Sequence, residues 1–148
     1  TTHDPQLWPM QARTGAARLA LATGAPVFPV AHWGDEQILG YVDEAGEDGR
    51  IKEKRKISLF PRKTVRVKVG KALDIASLVE DTSPEAKHTR TELGVVTDAM
   101  LDAITAELET IRGEKAPEGR WNPRTKRREA PGTPSGPVGG ALGEPDEK

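Results

Sequence analysis

The sequence predicts an α/β fold, a mixed sheet flanked by helices and followed by a disordered tail. Three observations carry that expectation. Residues 14–23 are rich in small and apolar helix formers and lead through Gly24 into PVFPVA at 26–31, which is apolar at every position. Residues 64–69, TVRVKV, alternate valine with polar or basic side chains. Residues 93–111 return an apolar side chain every three or four positions. Helical and strand periods thus alternate along one chain.

Residues 1–12 read as a loop, because Pro5 and Pro9 block regular structure, with Trp8 and Met10 folding it onto the core. His3 and Asp4 suggest a catalytic pair, but neighbouring side chains on extended backbone point to opposite sides. Thr14 is the N-cap of the first helix and Gly24 its left-handed C-cap. Arg13 therefore precedes a helix N-terminus, where free N–H groups and the dipole favour an anion. An Arg there can grip a phosphate bidentately, although the residues alone fit a solvated Arg better.

The apolar run at 26–31 predicts a strand covered on both faces, as in the second half of a βαβ crossover. Pro29 cannot donate to a ladder, which puts it at a strand end or edge close to something functional. His32, Trp33 and Gly34 follow at the C-terminal end of the strand, where open α/β sheets place their ligands. The lone His32 reads as structural and receives no chemical role.

Residues 35–50 predict a short apolar segment and then an exposed acidic loop. Phe60 beside Pro61 reads as core. In residues 64–69, an antiparallel or edge strand, Val65, Val67 and Val69 should face inward and leave Arg66 and Lys68 on a wet, basic face. Residues 73–78 are a turn or short helical piece. Ser83, Pro84 and Glu85 then give a start signal for a helix over roughly 84–112. Its stripe is Leu93, Val96, Met100, Ile104, Leu108 and Ile111, and Arg112–Gly113 close it. Residues 114–148 hold six of the twelve Pro and six of the fifteen Gly. So little apolar surface there predicts a disordered, solubilising tail, its basic cluster at Arg124, Lys126, Arg127 and Arg128 included.

Composition narrows the function classes. Only 35% of the 148 residues are hydrophobic, so much of the chain lies outside any core. The absence of Cys excludes disulfides and thiolate metal sites. No apolar run approaches the ~18 residues of a membrane span. No Gly-Lys-Ser/Thr phosphate loop, His/Glu metal constellation or Ser nucleophile elbow is present. Charge is strongly segregated: residues 50–71 carry ten Lys/Arg against Glu53 alone, a net of +9, between segments of −5 (residues 1–49) and −6 (72–113).

The stretch at 13–34 resembles the 1-acylglycerol-3-phosphate acyltransferase family of phospholipid biosynthesis. Arg13-Thr14-Gly15-Ala16 stands like the family's Lys-x-Gly-Ala, and Ala25-Pro26-Val27-Phe28-Pro29-Val30 like its Val-Pro-Val-Val-Pro-Val strand. The run LFPRKTVRVKVG at 59–70 is similar to a further strand in one branch of the family. The resemblance extends to about Arg112. It implies that residues 1–113 are the C-terminal part of a glycerolipid acyltransferase-type domain, with 114–148 as the tail.

The implied enzyme moves a fatty acyl group from acyl-CoA or acyl carrier protein to lysophosphatidic acid, with no cofactor and no metal. Arg13, Thr14, Gly15 and Pro29 are the implied substrate-binding residues. The family's catalytic His-x4-Asp is not found here: five residues after His3, His32 and His88 stand Trp8, Gln37 and Leu93. Its Glu-Gly-Thr is likewise absent, so no catalytic residue is assigned and the fragment itself is expected to be inactive. The implied location is peripheral, on the cytoplasmic side of a membrane. Lys52, Lys54, Arg55, Lys56, Arg62 and Lys63 would meet the anionic surface, without a transmembrane segment. No nucleic acid is expected. The alternative is a small basic nucleic-acid-binding module, against which stands a strand face without aromatics for stacking.

Overall fold

The computed structural model describes residues 4–45, 51–83 and 85–132, with side chains outside 41–55. Its elements are α1 (Gly15–Thr23), β1 (Val30–Trp33), β2 (Leu39–Ala45), β3 (Ile51–Ile57), β4 (Arg66–Val69), α2 (Arg90–Arg112), β5 (Arg120–Asn122) and β6 (Arg127–Glu129). Single 3-10 turns lie at Asp35–Gln37 and Ala76–Leu78. Helix and sheet are mixed, as expected. The sheet is not one body, however: the strands form three separate antiparallel pairs, β1–β4, β2–β3 and β5–β6.

α2 is the organising element. Thr89 and Glu92 close its N-terminus reciprocally: the Glu92 N–H donates to the Thr89 hydroxyl at 3.2 Å, and the Thr89 N–H donates to the Glu92 carboxylate at 2.7 Å. That capping box sets the start at Arg90 rather than near Ser83. Ser83 instead accepts from the Ala86 N–H in a turn, and Pro84 lies outside the described residues. The opposite end closes as expected at Gly113, whose φ of 71° is left-handed.

Leu93, Val96 and Met100 of α2 pack against Ala17, Ala20 and Leu21 of α1 and against Ile75. Half-buried Val27 and Leu73 complete this cluster and are joined by an isolated antiparallel bridge. A second cluster joins Leu108 to Ala31 of β1 and Trp8 of the N-terminal loop, with Trp33 and Ile111 at its margin.

The apolar run at 26–31 is not a doubly covered strand. Val30, Ala31, His32 and Trp33 pair with Val69, Lys68, Val67 and Arg66, and α2 lies on one face only. Pro29 contributes only its carbonyl, which accepts the Gly70 N–H at 2.8 Å, so the ladder starts after it. With one layer of cover, the faces of β4 are the reverse of the expectation. Val67 and Val69 are 64% and 60% exposed, while Lys68 is half-buried and pairs with Glu107 of α2 at 2.9 Å. The alternation is real, but it faces the other way because no second layer receives the valines.

Two further expectations are corrected. Residues 35–50 do not simply run into a loop: 39–45 pair in register with 51–57, from Leu39 opposite Ile57 to Ala45 opposite Ile51. Residues 46–50 fall outside the described residues. Nor is 114–132 a disordered stretch, since β5 and β6 form a hairpin docked on α2 and on the N-terminal loop. Arginines rather than apolar mass hold it. Arg120, 6% exposed, forms ion pairs with Asp98 and Asp102 of α2. Arg128 donates to both carboxylate oxygens of buried Asp4 at 2.8 and 2.7 Å. The Gln11 N–H donates to the Trp121 carbonyl at 3.0 Å. Residues 133–148, the rest of the expected tail, lie outside the described residues.

Removing one partner from a buried ion pair strands the other. Arg128→Gln should therefore cost roughly 3 kcal/mol in urea unfolding, with Arg127→Gln, an exposed neighbour, close to neutral. The hairpin should also loosen in acid. Hydrogen bonds from Asn122, then Thr125 and Gln11, hold the Glu129 carboxyl below its ordinary range. A lowered folded value contributes stability above the ordinary glutamate range and loses it as pH falls through the lowered value. Trp121 fluorescence should report that loss, and Glu129→Gln should remove its pH dependence.

Candidate anion-binding surface

Two places in the fold gather features that suit an anion without a carboxylate partner among the described residues. The first is the N-terminus of α1. Thr14 occupies the N-cap, but its side chain caps nothing and the first turn carries no acid. Its carbonyl accepts the Arg18 N–H at 3.0 Å. Arg13 is exposed, and a Cβ added at Gly15 would meet no atom within 4 Å. Arg13, Thr14 and Gly15 thus stand together around an open helix end with its N–H groups unfilled by side chains. Pro29 does not join them. It is buried at the start of β1, against Gly70, where an added Cβ would lie 2.7 Å from the Pro29 Cγ.

The second place is a cavity of about 260 Å³ lined by Trp33, Gln37, Arg62, Lys63, Thr64 and Arg66. The register of β1 with β4 creates it, because Trp33 stands opposite Arg66. Gly34 fixes the approach: its φ of 100° is left-handed, and a Cβ there would lie 2.3 Å from the Thr64 carbonyl oxygen. The carboxylates nearest in the chain are committed elsewhere. Glu36 accepts from the Gly34 N–H at 2.9 Å, and Asp35 pairs with His32 at 2.8 Å. Arg62, Lys63 and Arg66 have no ion-pair partner among the described residues.

Trp33 ties this cavity to the core. The Arg112 guanidinium lies between its ring and that of Trp8, 4.1 and 4.0 Å from the two centroids. Arg112 also donates to the Gln6 carbonyl at 2.8 Å.

Other candidate residues have structural places. Asp4 accepts N–H bonds from Gln6 at 3.0 Å and Trp8 at 3.2 Å besides its pair with Arg128, so it organises the N-terminal turn. His3 lies outside the described residues. His32 and Asp35 make an exposed pair on the strand face opposite Trp33, away from the cation cavity. Of the basic residues assigned to a membrane surface, Lys56, Arg62 and Lys63 have described side chains. Lys52, Lys54 and Arg55 are described only as backbone positions on β3.

A second cavity, of about 160 Å³, lies under the hairpin between Trp8, Pro9, Ala116 and Pro117, and its cations Arg120 and Arg128 are already paired. Among the described residues no three His, Asp or Glu side chains gather as a metal site. No described helix is long and apolar enough to cross a membrane.

The basic character of 62–66 was visible in the sequence. The convergence of Arg66 with Trp33 and Gln37 was not, since it depends on strand register. Phe60, expected in the core, is 85% exposed, two residues before Arg62 of this cavity. Comparison with protein-family models, curated proteins and solved structures returned no match.

Gly34→Ala should displace Thr64 and cost more than about 1 kcal/mol, because alanine at positive φ is strained even before the clash is counted. An unchanged urea midpoint for this variant would contradict the tight Gly34–Thr64 approach.

Proposed function

We propose that this chain is the C-terminal portion of an acyltransferase. The parent enzyme moves a fatty acyl group from acyl-CoA or acyl carrier protein to the free hydroxyl of lysophosphatidic acid, peripherally bound at the cytoplasmic side of a membrane. The observation that carries this reading is the open N-terminus of α1. It has no side-chain cap and no first-turn acid, and the exposed Arg13, without an ion-pair partner among the described residues, stands beside it. This is where the resemblance to the family puts the acceptor phosphate. Backbone N–H groups, the helix dipole and a guanidinium together suit a dianionic phosphate.

The chemical step needs a general base to take the proton from the acceptor hydroxyl as it attacks the thioester carbonyl. In the resembling family that base is the His of His-x4-Asp, a spacing that none of His3, His32 and His88 provides. This part of the chain would then bind and position the acceptor rather than perform the transfer. A second reading, a nucleic-acid-binding module, draws on exposed Phe60 next to Arg62 and Lys63, since one aromatic among cations can stack a base.

Loss of a positioned base costs about 10² to 10⁴ in rate. The purified 148-residue chain should therefore give no measurable transfer from acyl-CoA to lysophosphatidic acid. In an enzyme restored with an upstream His-x4-Asp and Glu-Gly-Thr, Arg13→Ala should raise the KM for the phosphate-bearing acceptor with little change in kcat. It removes a contact made before and during the transition state. His32→Ala should do far less. Turnover by the chain alone, or an unchanged acceptor KM after Arg13→Ala, would overturn this reading.

A further inference from the structure

The stretch of chain that leads into the cation cavity carries apolar side chains that no described residue covers. Ile57, Leu59 and Phe60 are 68%, 62% and 85% exposed. They are followed without a break by Pro61, Arg62 and Lys63 and preceded by exposed Lys56. Three large, exposed apolar groups within four residues of chain are denser than the scattered exposure of ordinary proteins and mark an interaction surface. Three cations around one cavity repel each other until an anion arrives, and no described carboxylate serves.

We infer that residues 57–66 dock on an anionic phospholipid bilayer. Arg62, Lys63 and Arg66 receive a headgroup phosphate in the cavity walled by Trp33, while Ile57, Leu59 and Phe60 enter the acyl region. The inference rests on the membrane-surface part of the reading above and is independent of acyl transfer.

Chemistry selects the bilayer over other partners. An apolar tip with a collar of like charges matches the order of a leaflet, acyl chains below and anionic phosphates above. Guanidinium forks suit phosphate oxygens, and a Trp at the same level is at home where one side is apolar and the other wet. A nucleic acid could accept the cations and Phe60 but offers nothing to aliphatic Ile57 and Leu59. A protein partner would need an acidic rim around an apolar hollow, a more special surface than any anionic membrane supplies. Chain connectivity keeps tip and collar together, since Phe60 and Arg62 are only two residues apart.

The test is sedimentation of the full 148-residue chain with phosphatidylcholine vesicles, with and without equimolar phosphatidylglycerol. Retention is expected only with the anionic lipid. Arg62→Gln and Lys63→Gln should each weaken it about fivefold, from roughly 1 kcal/mol per basic residue at an anionic surface. Leu59→Ser with Phe60→Ser should weaken retention most in high salt, where charge is screened and insertion remains. These side chains are exposed, so far-UV circular dichroism should be unchanged. Phe60→Trp should gain fluorescence quenched by brominated acyl chains, over the wild-type background.

Equal retention on neutral vesicles, or absence of that quenching, would overturn the inference. So would vesicle binding abolished by millimolar inorganic phosphate alone, which marks a small-anion site. Retention on a single-stranded oligonucleotide but not on vesicles would establish the nucleic-acid partner instead. None of these results requires acyl transfer, so activity of the restored enzyme and its dependence on Arg13 stand or fall separately.

Discussion

The Arg112 guanidinium between Trp8 and Trp33 joins the parts of this molecule that share no backbone pairing. One ring belongs to the N-terminal loop, the other to the end of β1, and the cation to the last turn of α2. A cation over an indole face gains about 0.5–1 kcal/mol when exposed and about 2 when desolvated. The Arg112 side chain is 11% exposed, which favours the upper part of that range. The position is not arbitrary, because a cation in the last turn also complements the helix dipole. Without it, the loop carrying Trp8 would keep Leu108 and its contacts with the β5–β6 hairpin but lose its tie to β1, and Trp33 would lose the surface that fixes it at the cavity.

A thin core explains why arginine is used so heavily. Val96 is the single large side chain less than 2% exposed among the described residues, and both hydrophobic clusters are small. Arg120 and Arg128 add two directed anchors, one to α2 and one to Asp4. Buried ion pairs give little net stability over apolar packing, yet breaking one is costly. Their effect here is to specify which segment docks where. The hairpin of β5 and β6 has few apolar contacts of its own, and Asp4 has no other cation within reach among the described residues.

These anchors also account for what the sequence disclosed and what it hid. α1 was legible from its small apolar residues and Gly24, and the end of α2 from Arg112–Gly113, because those signals are local. The start of α2 is ambiguous in the sequence because Ser-Pro-Glu and Thr89-x-x-Glu92 are both start signals, and only the second closes two hydrogen bonds at once. The hairpin at 120–129 was hidden because composition counts apolar mass and cannot see Arg120 facing Asp98 and Asp102 across 18 to 22 residues. The direction of the β4 valines was hidden for a different reason. Alternation gives two faces but does not say which one finds a neighbour. Of the candidate site, Arg13 and its helix end were legible and the cation cavity was not, since it exists only when Trp33 stands opposite Arg66.

Register therefore links fold and surface chemistry in a way that charge counting cannot. A slip of one residue between β1 and β4 would carry Arg66 to the face of His32 and bring a valine to Trp33, dispersing the cavity while leaving the +9 band unchanged. What opposes the slip is largely on the α2 side: Lys68 to Glu107, Ala31 against Leu108, and the left-handed Gly34 against Thr64. The valines on the other face meet no second layer among the described residues and add only cross-strand pairing, Val30 opposite Val69. Arg66 and Trp33 thus share the α2-facing side of the ladder with Lys68 and Ala31, so the contacts that set the register also place the cavity. The exposed apolar face can accept a partner without any change in the contacts that place Arg62, Lys63 and Arg66.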